Sequence, residues 1–242
     1  MPGLDWLTAR PVAHRGLHDA ADGVIENTAS AFSAAVTHQY AIECDLQLSA
    51  DGEAMVFHDD TLERLTERDG AFASLTATEL KSVVFKATAD RMMSLGELCD
   101  LVAGRVTLVL EVKSHFTGDM GLADRVAAVV QNYAGPVAAM SFDPAVISGL
   151  HAAAPGLPRG LITQSRPDPE VPSGNSLRYA GNALRARPHF LAWSVRDLPG
   201  LWPLLGRWGF GLPLLTWTVR TDADRLRARR WADQIIFEGY RP

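Results

Sequence analysis

Cysteine is scarce in this sequence. Cys44 and Cys99 are the only two among 242 residues. Two cysteines make no disulfide framework, and no C-x-x-C pair exists to hold a metal. Long apolar runs are missing as well. No stretch approaches the roughly 20 residues needed to cross a bilayer. The thirteen residues before His14 include Asp5 and Pro11 and do not read as a signal peptide. Neither G-x-G-x-x-G nor G-x-x-x-x-G-K-[ST] follows a strand-like segment, so nucleotide-binding α/β folds lose support. Ser141 lacks a G-x-S-x-G elbow, which argues against a serine hydrolase. Nor is there an excess of positive charge. The net charge is -5, which argues against nucleic acid as a partner. An anionic substrate stays admissible, because a bound cation can reverse the sign of a pocket locally. These absences predict a protein of the reducing cytoplasm with no stable membrane insertion.

What is present is ordinary for a globular chain: 47% hydrophobic and 21% charged residues, which excludes disordered and fibrous classes. The length suits one α/β barrel with a single large core. Short apolar segments alternate with longer helix-like stretches. Strands are expected near residues 11–14, 42–48, 107–112, 137–141, 160–163, 190–195, 214–219 and 234–237. The run from Val106 to Leu110 is almost wholly apolar, as in strands buried on both faces. Helices are expected at 30–38, 94–102, 121–133 and 223–231. Asp143-Pro144 reads as a helix start, with Asp as N-cap and Pro in the first turn. Eight strands with intervening helices predict a TIM (β/α)8 barrel, an open doubly wound sheet being the alternative. One stretch breaks the rhythm. After the second strand, an extra strand at 53–57 leads into a small insertion at about 59–93, with a short helical pattern at 78–83. The Pro-rich part at 155–173 reads as loop with one strand inside it. No internal repeat and no second domain are seen, so residues 1–242 are read as a single domain.

The chemistry begins in Ile42-Glu43-Cys44-Asp45-Leu46. Alternate side chains of a strand share a face. Glu43 and Asp45 therefore point one way, and Ile42, Cys44 and Leu46 point the other way into apolar packing. Two carboxylates facing a low-dielectric interior repel each other and need a cation or protons. Hard oxygen ligands suit Mg²⁺ or Ca²⁺. A solvent-facing edge strand with two charges explains the pair equally well. Glu111 and Lys113 repeat the pattern at the end of another apolar strand, where a structural Glu–Lys pair is the plain reading. His14-Arg15-Gly16 closes the first strand, and His58-Asp59 closes the extra one. Arg15 offers two-pronged recognition of phosphate oxygens. In a barrel the C-terminal strand ends form the active face. His14, Glu43, Asp45, Glu111 and Lys113 are expected to converge there, with His58 nearby. His18 and His115 are minor candidates. His38, His151 and His189 are read as helix-end or loop residues, Trp193, Trp202, Trp208 and Trp231 as packing, and the run Arg225, Arg227, Arg229, Arg230 as a solvated helix face.

An ordered series of motifs carries a resemblance. It runs through His14-Arg15-Gly16, Glu26-Asn27-Thr28 with Ala31-Phe32, Glu43-x-Asp45, and Asp51-Gly52 leading to His58-Asp59. It continues with Thr61-Leu62, Arg64, Thr66, Ser94-Leu95-x-Glu97-Leu98, Glu111-x-Lys113, Ser141-Phe142 and Trp217-Thr218-Val219. In this order the set resembles the glycerophosphodiester phosphodiesterase family, closely in the N-terminal half and more thinly beyond. The resemblance implies a TIM barrel and hydrolysis of small glycerophosphodiesters to glycerol 3-phosphate and an alcohol. It implies one divalent cation, Mg²⁺ or Ca²⁺, on Glu43, Asp45 and Glu111, with His14 and His58 as the acid/base pair. Arg15 and Lys113 would contact the phosphate, and Trp217 would wall the alcohol part. Three positions depart from the family pattern: Ile25 in place of Pro, Arg220 in place of Asn, and Phe237-Glu238 in place of Thr-Asp. The last two lie on the expected substrate face. Two other readings were weighed. A related barrel lipase, of the phospholipase D or phosphatidylinositol-cleaving type, needs a membrane-binding surface that no clear aromatic or basic loop run supplies. A non-catalytic phosphodiester-binding protein has no need of two histidines.

Overall fold

The apolar runs form strands and the stretches between them form helices, in a computed structural model that describes residues 3–165, 181 and 185–242. The strands are Val12–Ala13 (β1), Ala41–Leu48 (β2), Ala54–Val56 (β3), Leu108–Val112 (β4), Val137–Ser141 (β5), Arg159–Thr163 (β6), Phe190–Ser194 (β7), Leu214–Val219 (β8) and Gln234–Phe237 (β9). Eight of them are parallel and close on themselves, because β1 pairs with both β2 and β9. The result is the TIM barrel expected from the alternation of elements. The ninth strand, β3, runs antiparallel to the C-terminal half of β2.

Helices fill the outer layer: Ala29–Thr37 (α2), Leu95–Val102 (α4), Gly121–Val130 (α5), Pro144–Ala153 (α6) and Asp222–Trp231, with Asp5–Thr8 (α1) before the barrel and Ala77–Ser82 (α3) in the insertion. Their starts follow the sequence signals. Asp143 accepts a hydrogen bond from the Ala145 N–H at 2.8 Å, with Pro144 in the first turn. Ser94 and Glu97 form a reciprocal cap on α4, and Thr76 and Glu79 do the same for α3. Among the described residues no helix is long and apolar enough to cross a membrane. The Pro-rich stretch at 155–173 runs partly outside the described residues.

Side-chain parity sorts the barrel into two layers. Ile42, Cys44 and Leu46 of β2 and Leu108, Leu110 and Val112 of β4 face the helices, in a core with Val126, Ile147 and Leu150. The opposite parity fills the barrel: Val12, Ala41, Val109, Met140, Ile162, Phe190, Leu215 and Ile236 pack with Leu7 of α1, which plugs the N-terminal end. The bottom of the interior is thus apolar and closed. Toward the C-terminal strand ends the same parity carries polar residues, Glu43 and Asp45 on β2 and Glu111 on β4. The insertion has a core of its own, in which Phe57 stacks on Phe72 at 5.3 Å beside Leu62, Leu80 and Phe85. Trp193 is buried as expected of packing, but Trp202 and Trp208 are exposed. Their helix, residues 201–209, turns its small residues inward.

Candidate active site

Register brings the acids together. β2 and β4 are parallel, with Asp45 opposite Glu111 and Glu43 opposite Val109. Glu43 lies two residues before Asp45 and so shares its inward face. One oxygen from each of Glu43, Asp45 and Glu111 lies within 4.8 Å of the other two, and all three residues are buried. Several groups set their orientation. Asn27 donates from its side-chain nitrogen to Asp45 Oδ2 at 2.8 Å. The Arg15 N–H donates to Glu43 Oε2 at 2.9 Å. Lys113 Nζ bridges Asp45 Oδ1 at 3.1 Å and Glu111 Oε1 at 3.0 Å. Glu43 Oε1, in contrast, is buried with no hydrogen-bond partner. An unpartnered carboxylate oxygen in a hard-oxygen cluster of this size is what a divalent cation would use, so the donor set fits one.

The titration behaviour of the cluster follows from this uneven pairing. Burial, reinforced by the Asp45 and Glu111 charges, pushes the Glu43 carboxyl well above its ordinary range. Burial also works to raise Asp45, but the Lys113 and Arg15 charges overcome it and hold that group far below the ordinary range. Burial alone would lower Lys113; the two carboxylates reverse this and keep it protonated. Glu43 is therefore the acid of the cluster least offset by neighbouring positive charge.

Two imidazoles stand at the same mouth. His14 follows β1, and its backbone N–H donates to the Phe237 carbonyl at 3.0 Å. Its Nδ1 lies 2.6 Å from Glu238 Oε2, and its Nε2 lies 4.0 Å from Glu43 Oε2. The turn beyond it is tight: Arg15 and Gly16 have positive φ, and a Cβ on Gly16 would lie 2.9 Å from the Ala31 Cβ. His58 is carried in by β3, where the Phe57 N–H bonds to the Asp45 carbonyl at 3.1 Å. His58 Nδ1 lies 2.7 Å from Asp59 Oδ1. In both rings Nδ1–H donates to the carboxylate, which leaves Nε2 facing the site.

The expected residues therefore meet in one place. His14, Arg15, His58, Glu43, Glu111, Lys113 and Trp217 line a cavity of about 880 Å³, with His115 on the same wall. Asp45 lies just beneath, paired with Lys113. His18 is outside that lining. Trp217 stands edge-on to Phe142 at 5.5 Å and anchors its ring N–H on the Ala192 carbonyl at 3.1 Å. With Met140, Ile162 and Ile236 they supply the apolar part of the lining. Arg15 is more engaged than a free phosphate ligand would be. Its Nη1 donates to Glu26 Oε1 at 2.6 Å, and its Nε lies 3.3 Å from Asp45 Oδ2, within ion-pair range but not aligned as a hydrogen bond.

Some site residues carried no assigned role in the sequence reading. Glu26 and Arg64 lay in recognised motifs, but only the structure joins them into a chain: His58 to Asp59, Asp59 to Arg64, Arg64 to Glu26, and Glu26 to Arg15. Gln47 had a readable signal, since it continues the inward series of Glu43 and Asp45. It is buried and donates to the Asp59 carbonyl at 2.7 Å, holding the His58 turn. Glu238 and Arg220 were legible only as departures. Arg220 reaches Glu238 Oε2 at 2.8 Å, the same oxygen that receives His14. Burial tends to raise the Glu238 carboxyl, and those two bonds hold it well below the ordinary range.

Comparison with known proteins agrees with this geometry. A glycerophosphodiester phosphodiesterase of Caldanaerobacter subterraneus is 31% identical over 163 residues, 63% of this chain and 66% of that protein, just under two thirds of its length. A glycerophosphodiester phosphodiesterase of Bacillus subtilis is 24% identical over 95% of this chain and 83% of its own. Among solved structures, an Oleispira antarctica phosphodiesterase in complex with the product sn-glycerol-3-phosphate superposes with a TM-score of 0.80 at 20% identity, covering 96% of this chain and 94% of that one. The glycerophosphodiester phosphodiesterase of Thermotoga maritima gives 0.74 at 22% identity, covering 94% of each. At those identities the two structures establish the barrel fold. The family model described as the glycerophosphoryl diester phosphodiesterase family matches residues 14–238, from the first imidazole to the acid that grips it, and the chain belongs to that family of phosphoric diester hydrolases.

Proposed function

We propose that this protein hydrolyses small glycerophosphodiesters to glycerol 3-phosphate and an alcohol, with a divalent cation held by Glu43, Asp45 and Glu111. The observation that carries the reading is the meeting, in one cavity, of that buried acid cluster and two imidazoles whose Nδ1 atoms are each tied to a carboxylate. When bound, the cation, Mg²⁺ or Ca²⁺, supplies positive charge for the phosphate oxygens. The protein's own groups do the rest. Lys113 presents its ammonium at the edge of the cluster, where it offsets charge that builds on the phosphate. Arg15 orients Glu43 through its backbone N–H and Asp45 through its guanidinium, and turns its remaining donors to the cavity. One histidine accepts at Nε2 the proton of the attacking hydroxyl. The other, protonated, gives its Nε2 proton to the departing alkoxide as the P–O bond breaks. The Nδ1 contacts to Glu238 and Asp59 stabilise whichever ring carries the extra proton. Trp217 and Phe142 receive the apolar part of the alcohol.

The test is direct. Chelation should abolish hydrolysis of glycerophosphodiesters, and added Mg²⁺ or Ca²⁺ should restore it. General acid–base transfer contributes roughly 10²–10⁴-fold, so His14→Ala and His58→Ala should each lose activity on that scale with an unchanged melting temperature. Near-normal turnover in either variant, or indifference to chelator, rejects the reading. Met55 of β3 belongs to the core of the insertion while Ala54 and Val56 belong to that of the barrel, which supports reading both as a single domain. Cys44 and Cys99 are free and buried, which supports a cytoplasmic site of action.

A further inference from the structure

The helix after β7 is built inside out. It runs from Leu201–Leu204 into a wider π-helical turn at Leu205–Gly209. Its barrel side is made of Pro203 and Gly206, both buried, and a Cβ on Gly206 would meet Leu191 Cδ1 at 2.3 Å. Its large apolar residues point to solvent. Leu201, Leu205 and Trp208, spaced as one helical face, are 76%, 41% and 62% exposed, with Trp202 and Phe210 beside them at 50% and 62%. Of the seven large hydrophobic residues that are exposed among the described residues, five lie in this stretch of ten. Chance scatter of surface apolar residues does not concentrate them so, and a contiguous patch of this kind marks an interaction site.

The charge around the patch identifies what it fits. Trp208 meets Trp231 at 6.0 Å, which places the end of the Asp222–Trp231 helix against the apolar stripe. That end carries Arg227 and Arg230 on the side of Trp231, neither in an ion pair among the described residues, and the Arg230 guanidinium lies 5.0 Å over the Trp231 ring. Arg207 stacks on Trp208 and is anchored by Asp233. Leu226, one helical turn before Arg230, is 69% exposed. The chain as a whole is acidic, at -5, so this local basic cluster is a departure from the rest of the sequence. Tryptophan with leucine and phenylalanine on one side and arginine at the border is the composition of a surface that lies in a lipid–water interface.

We propose that this face, residues 201–210 with Arg227 and Arg230, docks the protein on an anionic lipid surface. The surface is separate from the acid–imidazole cavity, so the proposal stands or falls independently of the catalytic assignment.

The experiment is cosedimentation of the full chain with vesicles of phosphatidylcholine alone and of equimolar phosphatidylcholine and phosphatidylglycerol. Binding is expected to the second only, and to weaken with added salt. Each arginine is worth roughly fivefold in partitioning near an anionic surface. The double variant Arg227→Gln, Arg230→Gln should therefore bind roughly 25-fold more weakly. The pair Trp202→Ser, Trp208→Ser should abolish pelleting even at low salt. Both variants should keep the melting temperature and the hydrolysis of a water-soluble diester. Failure of the native chain to pellet with anionic vesicles overturns the proposal. So does unchanged pelleting of the tryptophan variant, or a dimer in solution that the tryptophan substitutions dissolve.

Discussion

Replacing Glu43 by Gln should do opposite things with and without the cation. In the metal-free protein the Glu43 carboxyl is buried beside Asp45 and Glu111, with one oxygen unpartnered. A buried polar group left without a partner costs about 1–3 kcal/mol, and more when charged. Gln removes the charge, and its carbonyl can still accept from the Arg15 N–H. For a chain of 242 residues, 1 kcal/mol corresponds to about 2 °C in melting temperature, so Glu43→Gln in chelator should melt about 2–6 °C above the native sequence. The sign with pH follows. A carboxyl whose folded pKa is raised destabilises the protein as pH climbs above its ordinary 4.5, so the advantage of Gln should grow from acid toward neutral pH. With the cation at a hundredfold excess over its dissociation constant the native chain should gain about 2.7 kcal/mol, roughly 5 °C. The variant, lacking one anionic ligand, should gain little. Differential scanning fluorimetry of both proteins, in chelator and in Mg²⁺ or Ca²⁺, reads the whole pattern without an activity assay. A variant that is less stable than the native chain in chelator, and that still rises with the cation, would refute the view that Glu43 is an acid waiting for a metal.

Three further outcomes follow from the contacts. Glu26 is raised by burial but held below its ordinary 4.5 on balance by Arg64 and Arg15; its stabilising contribution is present above that value and lost as pH falls, so Glu26→Gln should flatten the acid side of the stability curve in urea titrations from about pH 6 to pH 3. Phe72→Ala removes the partner of Phe57 in the core of the insertion, at a cost of about 3–5 kcal/mol, and hydrogen exchange should quicken in residues 59–93 before it does in the barrel strands. Glu238→Gln weakens a charge-assisted bond to His14, worth about 1.5–3 kcal/mol, and kcat/KM should fall roughly tenfold to a hundredfold without a matching loss of melting temperature.

The sequence exposes some of this site and hides the rest for physical reasons. Parity in a strand is a local rule, so the shared face of Glu43 and Asp45, and the opposite face of Cys44, were readable from five residues. The pairing of Asp45 with Glu111 depends on the register of two strands more than sixty residues apart, and no local pattern specifies that; the active face of a barrel pointed to the convergence, and the ordered set of motifs reinforced it. Helix starts behaved as local chemistry does: Asp143, Ser94 and Thr76 each cap the first turn with their own side chains. The outward face of residues 201–209 was not legible. Tryptophan and leucine at helical spacing read as packing wherever they occur, and what decides otherwise here is the inward Gly206, whose meaning depends on how closely Leu191 approaches.

The two departures on the substrate face show the same limit from the other side. Read one at a time, Arg220 and Glu238 are unrelated substitutions eighteen positions apart in the chain. In space they are one unit. Arg220 follows the end of β8, Glu238 follows the end of β9, and adjacent parallel strands bring the two ends together. Glu238 Oε2 then receives both the Arg220 guanidinium and the His14 ring. A glutamate alone at this mouth would add a further acid to Glu43, Asp45, Glu111, Asp59 and Asp60, and would raise the like-charge repulsion that a substrate phosphate must also meet. Arg220 cancels that charge while leaving the oxygen in place as an acceptor. The longer acid and the new cation are therefore intelligible only as a pair: one reaches the imidazole, and the other keeps the reach from making the cavity more hostile to an anion. Coupling between them is a physical necessity of the shared oxygen, so a double-mutant cycle over Arg220→Gln and Glu238→Gln on kcat/KM should be non-additive, the loss of Arg220 mattering less once Glu238 is neutral.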